Sequence, residues 1–190
     1  MTEAGDIPIQ VDDGSRVETL NLRDGQFGFH YTVDAAIPDT LTHGLLSRLE
    51  ERKRGLGVRK RASRSRGDTV YFTTRYNDIY FLHGDEPRPP QEELSDVVGI
   101  AVDRPDFARS RHGHFGLEDF ITPDKFRALL IVDCQATEIP LKEKRDTYDK
   151  YAFGATLPDD VINARVESLR RKCAEKGIEI PIYGVSGKQY

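Results

Sequence analysis

Three short segments carry the side chains best suited to chemistry. The first is Phe29-His30-Tyr31-Thr32, the second Val70-Tyr71-Phe72-Thr73-Thr74, and the third Glu118-Asp119-Phe120-Ile121-Thr122-Pro123. A histidine and a threonine can bind sugar hydroxyls, His30 as donor and Thr32 at a neighbouring ribose, while the Tyr31 backbone can pair with a carboxamide. Tyr71 and Tyr80 each offer an aromatic face on which a flat ring can stack. Glu118 supplies a carboxylate. Placed at a ribose, it can stabilise an oxocarbenium-like centre and hold a hydroxyl, as acidic residues do in glycoside hydrolysis.

Other chemistries lack their residues. No G-x-x-x-x-G-K-[ST] occurs, Gly55-Leu56-Gly57 lacks the third glycine of a dinucleotide fingerprint, and neither G-x-S-x-G nor H-E-x-x-H is present. His112-Gly113-His114 offers two imidazoles, which could serve a nuclease as acid and base. No carboxylate or cysteine cluster at ligand spacing joins them, so no metal is expected. Cys134 ends an apolar strand, where a small buried thiol is ordinary packing.

The elements that must position these residues follow from spacing. Phe27 to Thr32 is short, aromatic and β-prone. A helix is expected over about 34–43, ending in a turn at His43-Gly44, and the following basic stretch starts helical. Strands are expected at 69–74, 96–102, 115–121 and 126–133, with a short helix over 76–82. The three prolines of 84–93 point to a surface loop, and 104–113 to another loop. Residues 135–155 show no clear period. Pro158 opens the clearest helix, with Ile162, Val166, Leu169 and Cys173 on one stripe and Gly177 at its end. Ile178, Ile180 and Ile182 alternate as a last strand. Strands separated irregularly by short helices indicate an α+β fold with split sheets. Residues 1–15 are polar and are expected to form a flexible arm before a single domain over 16–190.

Length and charge bound the rest. A chain of 190 residues buries about 70 % of its unfolded surface, enough to fold without metal or disulfide. No run of about 18 apolar residues exists, so no membrane association is expected. The N-terminus has no apolar h-region, and the two cysteines have no C-x-x-C companion. Both features point to the reducing cytoplasm. The net charge of −4 excludes a wholly basic nucleic-acid coat. The charge is uneven, however. Nine Lys and Arg lie between Arg48 and Arg66, opposed only by Glu50 and Glu51. Arg52, Arg54, Arg59, Lys60 and Arg61 are the candidate contacts to a phosphate or to a nucleic-acid acceptor. Such contacts position a strand without selecting a base.

Taken in order, these segments resemble the ADP-ribosyltransferase superfamily, in its His–Tyr–Glu branch. In that branch a first strand carries H-x-T, matched by His30-Tyr31-Thr32. A helix and a "GL" turn follow, matched by Gly44-Leu45. The next strand reads I/V-Y-F/L-S/T, matched by Val70-Tyr71-Phe72-Thr73. A Glu then begins an E-x-φ-φ-x-P stretch, matched by Glu118 to Pro123. The resemblance spans about 30–133. It is nearest to the DarT-type DNA ADP-ribosyltransferases, whose basic segment after the first helix is similar to Glu51-Arg52-Lys53-Arg54. Rifampin ADP-ribosyltransferases and tRNA 2′-phosphotransferases are similar more loosely. It implies an ADP-ribosyltransferase-like split β-sheet core with peripheral helices and a mono-ADP-ribosyltransferase that consumes NAD. His30, Tyr31, Thr32, Tyr71 and Tyr80 would bind NAD, and Glu118 would be catalytic. The acceptor implied is a macromolecule, with DNA or RNA slightly favoured. The roles implied are a toxin, an antiphage effector or a modifying enzyme, the first two with an antitoxin or immunity protein as a possible partner. Gly116 stands two before Glu118, so the E-x-E pattern of arginine-directed enzymes is absent. Two alternatives are an RNA 2′-phosphotransferase on the same fold and a non-catalytic nucleic-acid-binding module working through 48–66. The first calls for basic catalytic residues before the H-x-T strand, where only Arg16 and Arg23 stand.

Overall fold

The computed structural model describes residues 8–11, 18–21, 27–56, 70–73, 79, 90–103, 108–109, 115–117, 120–139 and 151–190. In chain order the strands are β1 (Pro8–Val11), β2 (Glu18–Asn21), β3 (Phe27–Val33), β4 (Val70–Phe72), β5 (Val97–Asp103), β6 (Ala108–Arg109), β7 (Phe115–Leu117), β8 (Phe126–Ile131), β9 (Cys134–Glu138), β10 (Tyr151–Thr156) and β11 (Ile182–Gly184). The helices are α1 (Ile37–His43), α2 (Arg48–Lys53), α3 (Pro90–Leu94) and α4 (Asp159–Glu175). The architecture is mixed, with a sheet core and a few helices, as an α+β class requires.

Four strands form the central sheet in the order β11-β8-β5-β3. Neighbours are antiparallel except β8 and β11, which run parallel and are joined through β9, β10 and α4. β5 and β8 are apolar almost throughout because both of their faces are covered. On one face Val98, Ile100, Val102, Leu129 and Ile131 pack with Ile37 and Leu41 of α1 and with Ile162, Val166, Leu169 and Cys173 of α4. The other face is aromatic and small by turns: Phe27, Phe29, Ala101, Ala128, Leu130 and Tyr183. The buried stripe of α4 is the one its spacing predicts, and Gly177 ends the helix at φ +65°. Pro158 is the residue just before the helix, with Asp159 and Asp160 in the first turn, where the helix dipole favours acid.

α4 also ties the sheet to the start of α1. Arg165 donates to the carbonyls of Val132 at 2.8 Å and Val97 at 3.1 Å, closing the ends of two strands. Burial pulls its guanidinium below its ordinary pKa, and the charges of Asp34, Asp96 and Asp133 oppose that shift. One turn from the helix end, Lys172 pairs with the Asp34 carboxylate at the exit of β3.

A second sheet has the order β4-β7-β6. It meets the first where Phe29 and Thr73 exchange both backbone hydrogen bonds, at 2.8 and 3.0 Å. With the β1-β2 and β9-β10 pairs, the described strands fall into four sheets.

Several local expectations are corrected. The surface loop over 84–93 gives way from Pro90 to α3, whose Leu94 is fully buried. Pro90 stands at the first helical position, where the missing N–H costs nothing. Two residues of the loop over 104–113 form β6 against β7. The strand over 115–121 is β7 followed, at Ile121, by a single bridge to Leu45. The unassigned 135–155 contains β9 and β10, paired antiparallel. The last strand begins at Ile182, with Ile178 and Ile180 packed on the core before it. β1 pairs with β2, so the 15/16 boundary falls between two paired strands. The helix over 76–82 lies outside the described residues, apart from buried Ile79.

Candidate functional site

β3 is the element on which the site is built. Side chains alternate along it, so Phe29 and Tyr31 share one face and His30 and Thr32 the other. Tyr31 lies over Gly99, its cross-strand partner, on the aromatic face. His30 and Thr32 stand opposite Ile100 and Val98, on the α1 face. There they line a cleft of about 150 Å³ whose other walls include Asp39, Thr40 and His43 of α1, Glu51 of α2, and the Gly44-Leu45-Leu46 turn. That is below the roughly 300–1,000 Å³ of pockets that engulf a drug-sized ligand, so the cleft fits a sugar-sized part of a larger molecule.

Local sequence explains each wall. Pro38 lies in the first turn of α1, and Gly44 ends the helix at φ +86°. Leu45 and Ile121 then exchange backbone bonds at 2.8 and 2.9 Å. A Cβ on Gly44 would lie 2.0 Å from the Ile121 carbonyl oxygen. Gly44→Ala therefore combines a left-handed backbone penalty with a collision that must break this bridge. It is expected to cost at least about 2 kcal/mol, a fall of about 4–8 °C in thermal midpoint. An unchanged melting curve would show that the turn re-forms elsewhere. α2 is held by Ser47, whose hydroxyl accepts the Glu50 N–H at 3.2 Å, and this sets Glu51 toward the cleft.

His30 joins the two sheets. Its Nδ1 lies 2.9 Å from the Tyr71 carbonyl oxygen, and its ring centroid is 5.9 Å from that of Phe72. A carbonyl only accepts, so Nδ1 carries the proton. With the ring neutral, Nε2 is thus an acceptor and not a second donor. Tyr71 is the middle residue of β4, between Val70 and Phe72, which face the core and, for Val70, the cleft. Alternation puts the Tyr71 ring on the opposite face, so it contributes its carbonyl at His30 and not its ring to the cleft. Phe29 bonds Thr73 through both backbone groups, and backbone direction repeats every second residue. The N–H and C=O of Tyr31 accordingly face the β4 edge, at the rung next to Tyr71.

The remaining candidates divide. Arg52 is exposed beyond the cleft wall. Arg54 is bound to Glu50 at 3.0 Å, and that hydrogen bond is the main cause holding the Glu50 carboxyl below its ordinary range. The Arg54 guanidinium also lies 4.3 Å from the centroid of the Phe120 ring. Glu118, Tyr80, Arg59, Lys60 and Arg61 lie outside the described residues, as do His112 and His114. The chain on either side of Glu118 is placed: Leu117 pairs with Val70, and Ile121 with Leu45, both cleft residues. Sequence reasoning missed Asp39, Thr40, His43 and Glu51. Asp39 and His43 are four apart on α1, a spacing that shares a helix face, but nothing in the sequence says which face meets β3.

A second polar cluster is structural. Asp133, fully buried, accepts from the Ser186 N–H at 2.9 Å, the Ser186 hydroxyl and the Tyr190 hydroxyl at 2.8 Å. Burial, then Asp133, raises the Tyr190 hydroxyl pKa, so it stays a donor. Burial, with Asp133 beside it, pushes the Cys134 thiol up to about 12. Cys173 is buried as well. Neither thiol is expected to react with a disulfide reagent near neutral pH until the chain unfolds. Reaction of the native protein at full stoichiometry would contradict the burial described.

No helix among the described residues is long and apolar enough to cross a membrane. No protein-family model, no curated protein and no solved structure matches the chain.

Proposed function

We propose that the protein is an NAD-consuming mono-ADP-ribosyltransferase on an ADP-ribosyltransferase-like fold. The observation that carries the proposal is the junction at His30. The strand with the H-x-T residues and the strand with the Tyr are adjoining edges of two separate sheets, tied by Phe29–Thr73 and by His30–Tyr71. Beside that junction lies a sugar-sized cleft of hydroxyl, imidazole and carboxylate groups. Its residues fit a ribose. Thr32 offers a hydroxyl, Nε2 of His30 an acceptor, and Glu51 a carboxylate for a vicinal diol, while Thr40, whose hydroxyl donates to the Ala36 carbonyl at 2.8 Å, can accept. At the junction, the Tyr31 backbone edge is the group assigned to a carboxamide, and Tyr71 contributes its carbonyl at His30.

The chemistry then needs little more. The bond from the ribose C1′ to the nicotinamide nitrogen breaks, and its electron pair leaves with a neutral nicotinamide. A nucleophile of the acceptor bonds to C1′ and its proton passes to water. Charge at C1′ rises in the transition state, and Glu118 is the group assigned to stabilise it. Support for that assignment comes from its neighbours, since Leu117 and Ile121 pair with cleft residues on both sides.

Incubation with NAD labelled in the adenosine half tests the proposal. The expected result is release of nicotinamide, with label transferred to added nucleic acid. A protein that neither binds nor consumes NAD would overturn it.

A further inference from the structure

We infer that His43 is the general base of the transfer step, taking the proton of the incoming nucleophile before that proton reaches water. The inference rests on the transferase proposal and deepens it by naming the residue that prepares the acceptor.

Three polar side chains line the cleft without a partner of their own. The Thr32 hydroxyl, the His43 imidazole and the Glu51 carboxylate make no hydrogen bond or ion pair among the described residues. They come from β3, from the last turn of α1 and from α2, so three elements present them to one space. Thr32 is only 2 % exposed. A hydroxyl so deeply placed is destabilising until a bound group supplies its hydrogen bond. With the sugar held at Thr32 and His30 on the β3 wall, a cleft of about 150 Å³ leaves the α1 and α2 walls within reach of the same group.

The roles then divide by chemistry. His30 gives Nδ1 to the Tyr71 carbonyl and Nε2 to the sugar. Carboxylates are weak bases near neutral pH, whereas an imidazole takes up a proton there. The surroundings of His43 favour the cation that results. It stands in the last turn of α1, where the helix dipole stabilises positive charge. Asp39 lies one turn earlier on the same helix and Glu51 across the cleft, and no Lys or Arg lines the space. Its backbone is fixed, because Gly44 donates to the Thr40 carbonyl at 2.8 Å and Leu45 is bonded to Ile121. His43 is half-buried, so it reaches both cleft and solvent. As the bond from C1′ to nicotinamide breaks, its electron pair leaves with nicotinamide. The acceptor O–H or N–H bonds to C1′ through its heavy atom, and its proton passes to a ring nitrogen of His43. The imidazolium then releases that proton to water.

The full chain tests this with NAD and two small nucleophiles, methanol and azide. Methanol must lose a proton when it bonds to C1′; azide has none to lose. His43→Ala is expected to lower formation of the methyl ADP-riboside by at least about 10²-fold. The azide adduct should form at the wild-type rate, with KM for NAD unchanged. His43→Gln, which keeps a polar side chain but accepts no proton, should behave as His43→Ala does. Equal losses with both nucleophiles, no loss with either, or recovery in His43→Gln would each overturn the base. Any of these three in a protein that consumes NAD leaves the transferase proposal standing. A wild-type protein that consumes no NAD with either nucleophile removes both.

Discussion

Glu118→Gln is expected to leave NAD binding in place and to lower nicotinamide release by about 10²–10³-fold. The substitution conserves size and one acceptor oxygen, so ground-state contacts to a ribose hydroxyl change little. What disappears is the negative charge, and that charge matters only when C1′ becomes positive. A loss confined to kcat, with KM for NAD within about two-fold, is the signature of an interaction made only in the transition state. Equal turnover by the variant would move the role to another acid, with Asp119 and Glu138 the next to test. A rise in KM alone would assign Glu118 to binding.

The second large effect is on stability. Asp133→Ala is expected to cost about 3–5 kcal/mol, by analogy with breaking a buried polar cluster by removing one member. The carboxylate accepts from one amide and two hydroxyls of the last residues of the chain, and it is fully buried. Alanine leaves those donors facing a hole, and each unmet donor carries a penalty of about 1–3 kcal/mol. The neighbouring backbone is shaped to this carboxylate. A Cβ on Gly184 would fall 1.9 Å from its Oδ2. At about 2–4 °C per kcal/mol, the thermal midpoint should drop by between about 6 and 20 °C. Tyr190→Phe removes one donor and its partner bond together, and should cost about 1 kcal/mol. A midpoint unchanged in Asp133→Ala would mean that water fills the vacated site at no cost.

Asp133 also shows why part of the fold escapes sequence reading. It looks like the polar end of an apolar strand, because its partners stand 53 and 57 residues later. No local pattern announces them. α4 is legible for the opposite reason. Its stripe, its opening proline and its closing glycine are all local. β5 and β8 are legible as runs of apolar residues, since both faces of each are buried. β9 and β10 are not, because their exposed positions mix with buried ones and the pairing crosses a long connection. In the candidate site, His30 and Thr32 can be picked from one strand. Asp39, His43 and Glu51 depend on how α1 and α2 are turned toward that strand, which long-range packing decides. The tautomer of His30 is equally invisible, as it follows from a carbonyl 41 residues away.

Among the described residues, the two sheets share a single backbone rung, at Phe29 and Thr73, reinforced by the His30 side chain toward Tyr71 and by Val70 and Phe72 in the common core. Such a seam works as the spine of a book. It can crease while most rungs of the larger sheet's ladders stay paired, since Phe29 is one of seven β3 residues paired with β5. Opening at the spine then costs less than unfolding the chain, and the two amides at the rung exchange with solvent faster than those in β5 or β8. A molecule that grips both pages slows that exchange by its own binding energy. The Phe29 and Thr73 amides thus serve as a built-in gauge of occupancy, readable by hydrogen exchange whatever the bound molecule is and whether or not it reacts.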